Sequence, residues 1–156
     1  MNDALNRQLI LGHEGRRLVA YHDTEGFLTI ADGFNLEMDS APIICEKLGI
    51  NYEAIYHGAP LTDAECDTLF TYNYGKVVSD VISMFPNFQS MPAKAVAVIC
   101  DMRYELGPAG FREFHNFIAA VQSANWSAAV AAMWDSKWAK QVPSRVADDA
   151  SLLESL

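Results

Sequence analysis

The chain is poor in cysteine, in basic residues and in long apolar runs, and each shortage removes a class of protein. Its three cysteines, Cys45, Cys66 and Cys100, are odd in number and form no Cys-x-x-Cys pair. That pattern argues against a disulfide framework or a zinc site and predicts reduced core thiols. Eleven Lys and Arg face 20 Asp and Glu, a net charge of -9. Over residues 1–78 there are 5 bases against 12 acids, so -7 of that charge lies in the first half. Nucleic acid is therefore a poor partner. No run of 18 apolar residues occurs, so no membrane insertion is expected, and the polar start MNDALNRQ does not read as a signal peptide. Repeats, low-complexity linkers and heptads are also missing, and a monomer without cofactor or metal is the expectation.

What the chain does have is enough apolar content for a core. At 156 residues and 51% hydrophobic, it has the size of one compact domain. Asp3 can cap a helix carrying Leu5, Leu9 and Ile10 to about His13, and Glu14-Gly15 ends it. Leu18–Tyr21 and Phe27–Ile30 are strand-like runs around the turn Asp23-Thr24-Glu25-Gly26, and Gly33–Leu36 can add a third short strand. From Ser40 onward the signals are helical, with Ser40 as a cap, Gly49 as a stop and a turn-rich unit at Tyr52–Gly58.

Thr62-Asp63-Ala64-Glu65 is a capping box opening a long helix that ends before Pro86. Pro92 opens a buried central helix through Val96, Ile99 and Met102, with Gly107 as its stop. Shorter helices follow at Phe114–Val121, Trp126–Trp134, Ser136–Gln141 and Ser144–Leu153. Strands confined to the first quarter give an α+β, mostly helical class. The expected layout is a single domain over 1–156. A small sheet-bearing lobe occupies about 14–60 and a connecting helix about 62–84. A larger helical lobe takes in about 80–156 plus the N-terminal helix, with a cleft between the lobes.

The richest segment runs from His13 to Asn35, HEGRRLVAYHDTEGFLTIADGFN. Glu14 at a helix C-terminus, Asp23 in a tight turn and Thr29 on a strand form a set suited to glycosidic bond cleavage. The leaving oxygen needs a proton donor, while a second carboxylate manages water or the charge developing on the sugar. The helix dipole and partial burial disfavour ionised Glu14, and each pKa unit upward is worth about 1.4 kcal/mol. Asp23, among free turn amides, is expected to stay ionised. Alternation puts Phe27, Thr29 and Ala31 on one strand face and Leu28 and Ile30 on the core face, which predicts an exposed Thr29 hydroxyl. Read alone, the same residues also fit a solvated helix-end Glu, an ordinary hairpin turn and a β-forming Thr.

At these residues the sequence resembles the lysozymes of T-even bacteriophages and their relatives, glycoside hydrolase family 24. HEGRRLVAYHDTEGFLTI is similar to that family's motif nearly throughout, and thinner similarity continues through LTDAECDTLF at 61–70, YELG at 104–107 and SKWAKQVPSRV at 136–146. The resemblance implies an inverting muramidase acting on the β-1,4 bond between N-acetylmuramic acid and N-acetylglucosamine in peptidoglycan. Glu14 would be the general acid, Asp23 would orient the attacking water and Thr29 would assist. Tyr104, Glu105, Phe34 and Asn35 are the candidate substrate contacts. Arg145 is a supporting residue that approaches the catalytic Glu, against an ordinary reading as a solvated arginine at a helix start. Trp126, Trp134 and Trp138 are expected in the core rather than as sugar platforms.

The resemblance further implies a phage endolysin that accumulates in the host cytoplasm, and a separate pore-forming protein would give it access to the wall. A virion-associated lysozyme is the variant, and a non-catalytic wall-binding or structural module is the alternative. Where the family commonly shows Gly-x-Gly followed by His or a similar residue, this chain has Ala31-Asp32-Gly33-Phe34-Asn35. Asp32 and Glu105 are thus expected to add negative charge near the site and raise neighbouring carboxylate pKa values.

Overall fold

The computed structural model describes residues 2–156. In chain order the elements are α1 (Asp3–Glu14), β1 (Arg17–His22), β2 (Leu28–Ala31), β3 (Phe34–Asn35), α2 (Ala41–Lys47), α3 (Tyr52–Tyr56), α4 (Asp63–Met84), α5 (Ala93–Arg112), α6 (His115–Gln122), α7 (Trp126–Trp134), α8 (Lys137–Gln141) and α9 (Pro143–Glu154). A 3-10 turn lies at Phe88–Ser90. The class is α+β and mostly helical, as the sequence predicts. No helix among the described residues is long and apolar enough to cross a membrane.

The chain divides into two compact units, one of Glu14–Gly75 and the other of Met1–His13 with Lys76–Leu156. The first holds an antiparallel sheet in the order β1-β2-β3, with Thr29 opposite Tyr21 on one side and opposite Asn35 on the other. The β1–β2 register shifts between Arg17 and Tyr21. Ile30, Phe34, Leu36, Ile44, Ile55 and Leu69 pack into the core of this unit. Ser40 stands before α2 without a capping hydrogen bond, contrary to its expected role. Its backbone is itself helical (φ -84°, ψ -9°), whereas a capping side chain needs the extended region to reach the free N–H groups. The turn-rich unit after it forms the one-turn helix α3, capped by Asn51 Oδ1 accepting from the Ala54 N–H at 3.1 Å.

The capping box at the head of α4 closes reciprocally. The Thr62 N–H donates to Glu65 Oε2 at 2.7 Å, and the Glu65 N–H donates to Thr62 Oγ1 at 3.2 Å. In the helical unit, α5 is the buried axis and carries Val96, Val98, Ile99 and Met102 inside. Its backbone breaks at Gly107, where φ is +70° and ψ is 172°, and a further turn runs from Pro108 to Arg112. A residue with a Cβ would resist that left-handed φ, so the glycine sets where the long helix bends away. α6 packs on α7, and both α5 and α7 pack on α9, around Phe111, Phe117, Met133 and Leu153.

Candidate active site

The sheet unit begins at the last residue of α1, Glu14, after which Gly15 takes φ +67° and the chain turns into β1. A carboxylate at this place meets the negative end of the helix dipole. The side chain is partly buried, with Oε1 sealed from solvent. Asp23 follows β1 and is fixed by its own turn. Its Oδ1 accepts from the Glu25 N–H and the Phe27 N–H, each at 2.9 Å, while its main-chain N–H donates to the Phe27 carbonyl at 2.9 Å. One oxygen is thereby consumed in orienting the group and Oδ2 is left pointing toward Thr29, whose Oγ1 lies 3.4 Å away.

Thr29 is 4% exposed, so the expectation of an open hydroxyl is corrected. β2 is the middle strand, and the cross-strand neighbours Tyr21 and Asn35 cover Thr29 from both sides on the face it shares with them. Its hydroxyl bonds inward, donating to the Phe27 carbonyl at 3.1 Å with Asp23 Oδ2 as the second acceptor. Tyr21 reports on both carboxylates: burial first, and then the charges of Glu14 and Asp23, push its phenol pKa up. The Arg17 guanidinium, 4.9 Å from the ring centre, acts in the opposite direction. Tyr21, opposite Thr29 in the sheet, is thus within electrostatic reach of both Glu14 and Asp23.

Asp32 is not a loose third acid, and this too is a correction. It is buried, and Arg16 grips it with two bonds, Nε to Oδ1 at 3.2 Å and Nη2 to Oδ2 at 2.9 Å. The same guanidinium reaches Asp63 Oδ1 at 3.3 Å and Asp67 Oδ1 at 2.7 Å. The hydrogen bond to Asp32 is the largest reason why the Arg16 pKa is raised further still. Charge at Asp32 is met locally by this pair.

Of the candidate substrate contacts, Asn35 sits beside Thr29 across the sheet, and its Oδ1 accepts from the Glu37 N–H at 2.7 Å. Phe34 is corrected: at 1% exposed it is a core side chain of the sheet unit and offers no surface to a sugar. A strand of two residues turns alternate side chains to opposite faces, and Phe34 takes the inner one. Tyr104 and Glu105 lie half-buried on α5. Glu105 Oε2 accepts from Trp138 Nε1 at 2.9 Å and lies 3.0 Å from Arg145 Nε. Trp138 lines a groove of about 560 Å³ in the helical unit, with Phe114 and Asn116 among its other walls.

Arg145 is buried rather than a solvated helix-start arginine. It donates from Nε to Asp101 Oδ2 at 2.7 Å and from Nη2 to Asp101 Oδ1 at 2.9 Å. His13 Nδ1 lies 3.1 and 3.2 Å from the same two oxygens, and Nε2 lies 3.3 Å from Asp148 Oδ2. The hydrogen bond that His13 donates to Asp101 is the largest cause raising the His13 pKa, while these donors hold that of Asp101 below its ordinary value against burial. Sequence reasoning missed Asp101 and Asp149. Their signal was an aspartate inside an apolar helical face: Asp101 follows Val98-Ile99-Cys100, and Asp149 shares a stripe with Val146, Ala150 and Leu153. Of the tryptophans, Trp138 is buried as expected. Trp134 is 46% exposed instead, because α7 turns Ala129, Val130 and Met133 inward and leaves its last residue on the other side.

A family model described as phage lysozyme matches residues 12–148. The pre-baseplate central spike protein Gp5 of Enterobacteria phage T4 is 25% identical over 147 residues, covering 88% of this chain and 25% of that protein. The probable T4-type lysozyme 1 of Dictyostelium discoideum is 25% identical over 154 residues, covering 91% of this chain and 89% of that protein. The chain thus spans a quarter of the spike protein's length and most of the second relative's.

Proposed function

This chain belongs to the phage lysozyme family, and from that premise we propose that it hydrolyses the β-1,4 bond between N-acetylmuramic acid and N-acetylglucosamine in bacterial peptidoglycan, with inversion. The observation that carries the reading is the fixed Asp23 carboxylate, with Oδ1 held by two turn amides and Oδ2 turned to the Thr29 hydroxyl. Glu14, on a helix end and partly buried, gives its proton to the glycosidic oxygen as the bond breaks. A water between Asp23 and Thr29 donates one proton to Oδ2 and the other to a lone pair of Thr29 Oγ1. Its own lone pair then aims at the anomeric carbon from the opposite face. As the water attacks, Asp23 takes a proton and Glu14 is left ionised, so the charges balance.

The biological setting proposed is a phage endolysin that accumulates in the host cytoplasm, acts as a monomer, and reaches the wall through a separate pore-forming protein. A second reading is favoured by the similarity to the T4 spike protein: a virion-associated module that retains the fold and binds wall without cutting it.

The decisive test compares the wild-type protein with Glu14→Gln in a turbidity assay on chloroform-treated Gram-negative cells. Loss of the general acid is expected to cut the rate about 10²- to 10⁴-fold. Equal clearing by both proteins sinks the catalytic assignment. Binding of the wild type to purified wall without release of reducing sugar selects the second reading. Early product formed as the α anomer, read by NMR before mutarotation, checks inversion.

A further inference from the structure

Asp149 is a buried acid that the chemistry at Glu14 and Asp23 leaves unused. It is 0% exposed, and neither carboxyl oxygen meets an N–H or O–H donor. One polar atom each from His13, Asp101 and Asp149 lie within 4.8 Å of one another. Such a set has room for a small cation, but Arg145 already bonds both Asp101 oxygens, and its fixed charge opposes a second positive ion. A proton is the occupant that fits.

Charge counting points the same way. A carboxylate oxygen faces each ring nitrogen of His13, and the hydrogen bond to Asp101 is the largest cause raising its pKa, which favours the imidazolium. His13 and Arg145 then balance Asp101 and Glu105. An ionised Asp149 would be a further buried anion with no donor of its own, which is far costlier than the neutral acid. The remaining groups do not alter the sum. Asp148 on α9 is open to solvent, Cys100 on α5 holds its proton with a thiol pKa pushed up to about 12, α7 presents no titratable side chain, and Lys137 and Lys140 of α8 are exposed.

We propose that Asp149 is a positioning residue: it carries a proton shared with Asp101, and that proton keeps the Arg145 guanidinium committed to Asp101 and Glu105. Once Asp149 ionises, it competes for Arg145 from four residues along the same helix, the spacing at which side chains meet. Arg145 is drawn off Glu105, and the bond from Trp138 Nε1 to Glu105 Oε2 loosens with it. Burial first, and then the charge of Asp101, push the Asp149 pKa up to about 9. The loosening therefore comes on the alkaline side. Where Glu105 contacts substrate, KM rises over that range while kcat holds, a consequence that rests on the lysozyme reading.

The test needs no activity. The indole N–H resonance of Trp138, assigned with Trp138→Phe, is followed by NMR from about pH 6 to about 10.5. The wild type is expected to show a transition near pH 9, and Asp149→Asn, which keeps the shape and donates an amide N–H to Asp101, is expected to show none. The same transition in both proteins, or none in the wild type, overturns the proposal. Should the variant fail to fold, proton release on urea unfolding of the wild type at about pH 5.5, where His13 keeps its proton folded and unfolded alike, decides. About one proton is expected from Asp149, which is neutral folded and ionised unfolded. Release of less than about half a proton refutes the shared proton.

Discussion

Replacing Arg16 with methionine is expected to destabilise the protein by about 3 kcal/mol at pH 7. Methionine keeps much of the apolar stem but removes both bonds to Asp32, whose side chain is 2% exposed. Stranding a buried ion costs about 3–5 kcal/mol, and the 25% exposure of the Arg16 side chain lets water recover part of it, which favours the low end. The contacts to exposed Asp63 and Asp67 add little, about 0–1 kcal/mol each. For a chain of this size the melting temperature should fall by roughly 6–12 °C.

Urea midpoints at pH 7 measure the loss, and adding Asp32→Asn to the variant should recover most of it. A gap below about 1 kcal/mol, or no recovery in the double variant, refutes the dependence of the buried carboxylate on Arg16.

Two further outcomes follow from local structure. Ala31 adopts φ +56° while 1% exposed. Ala31→Gly relieves about 1–2 kcal/mol of strain but gives up a buried methyl and gains unfolded-state entropy, so its urea stability should stay within about 1 kcal/mol of the wild type. Ala31→Val adds a branched, overpacked side chain at the same φ and should lose about 2 kcal/mol or more. All three cysteines are buried, and burial raises each thiol pKa, that of Cys100 to about 12. A thiol reagent at neutral pH should label the native protein slowly and all three sites once it is unfolded.

Features written in neighbouring residues were legible in the sequence. The capping box at Thr62–Glu65 needs four consecutive residues, the hairpin turn around Asp23 needs five, and Gly107 marks a helix break by its own conformational freedom. What required the folded chain was any pairing across distance. The bond from Arg16 to Asp32 depends on how β1 and β2 register, and reading Asp32 by position alone suggested unbalanced charge. Thr29 alternates correctly along its strand, but alternation says which side a residue faces and not whether neighbours cover that side. Asp101 and Arg145, 44 residues apart, each look like an isolated charge until α5 and α9 meet.

The turn that holds Asp23 makes almost no use of the rest of the chain. Every bond that orients the carboxylate comes from between Asp23 and Thr29. Seven consecutive residues therefore behave as a self-contained cassette, and it carries its own alignment wherever a hairpin can be opened to receive it. Drift elsewhere in the sequence is compatible with keeping such a cassette intact, while one inserted or deleted residue inside it would turn the carboxylate away. Grafting and loop-length scanning, more than point substitution, are the experiments to which this part of the molecule should respond most sharply.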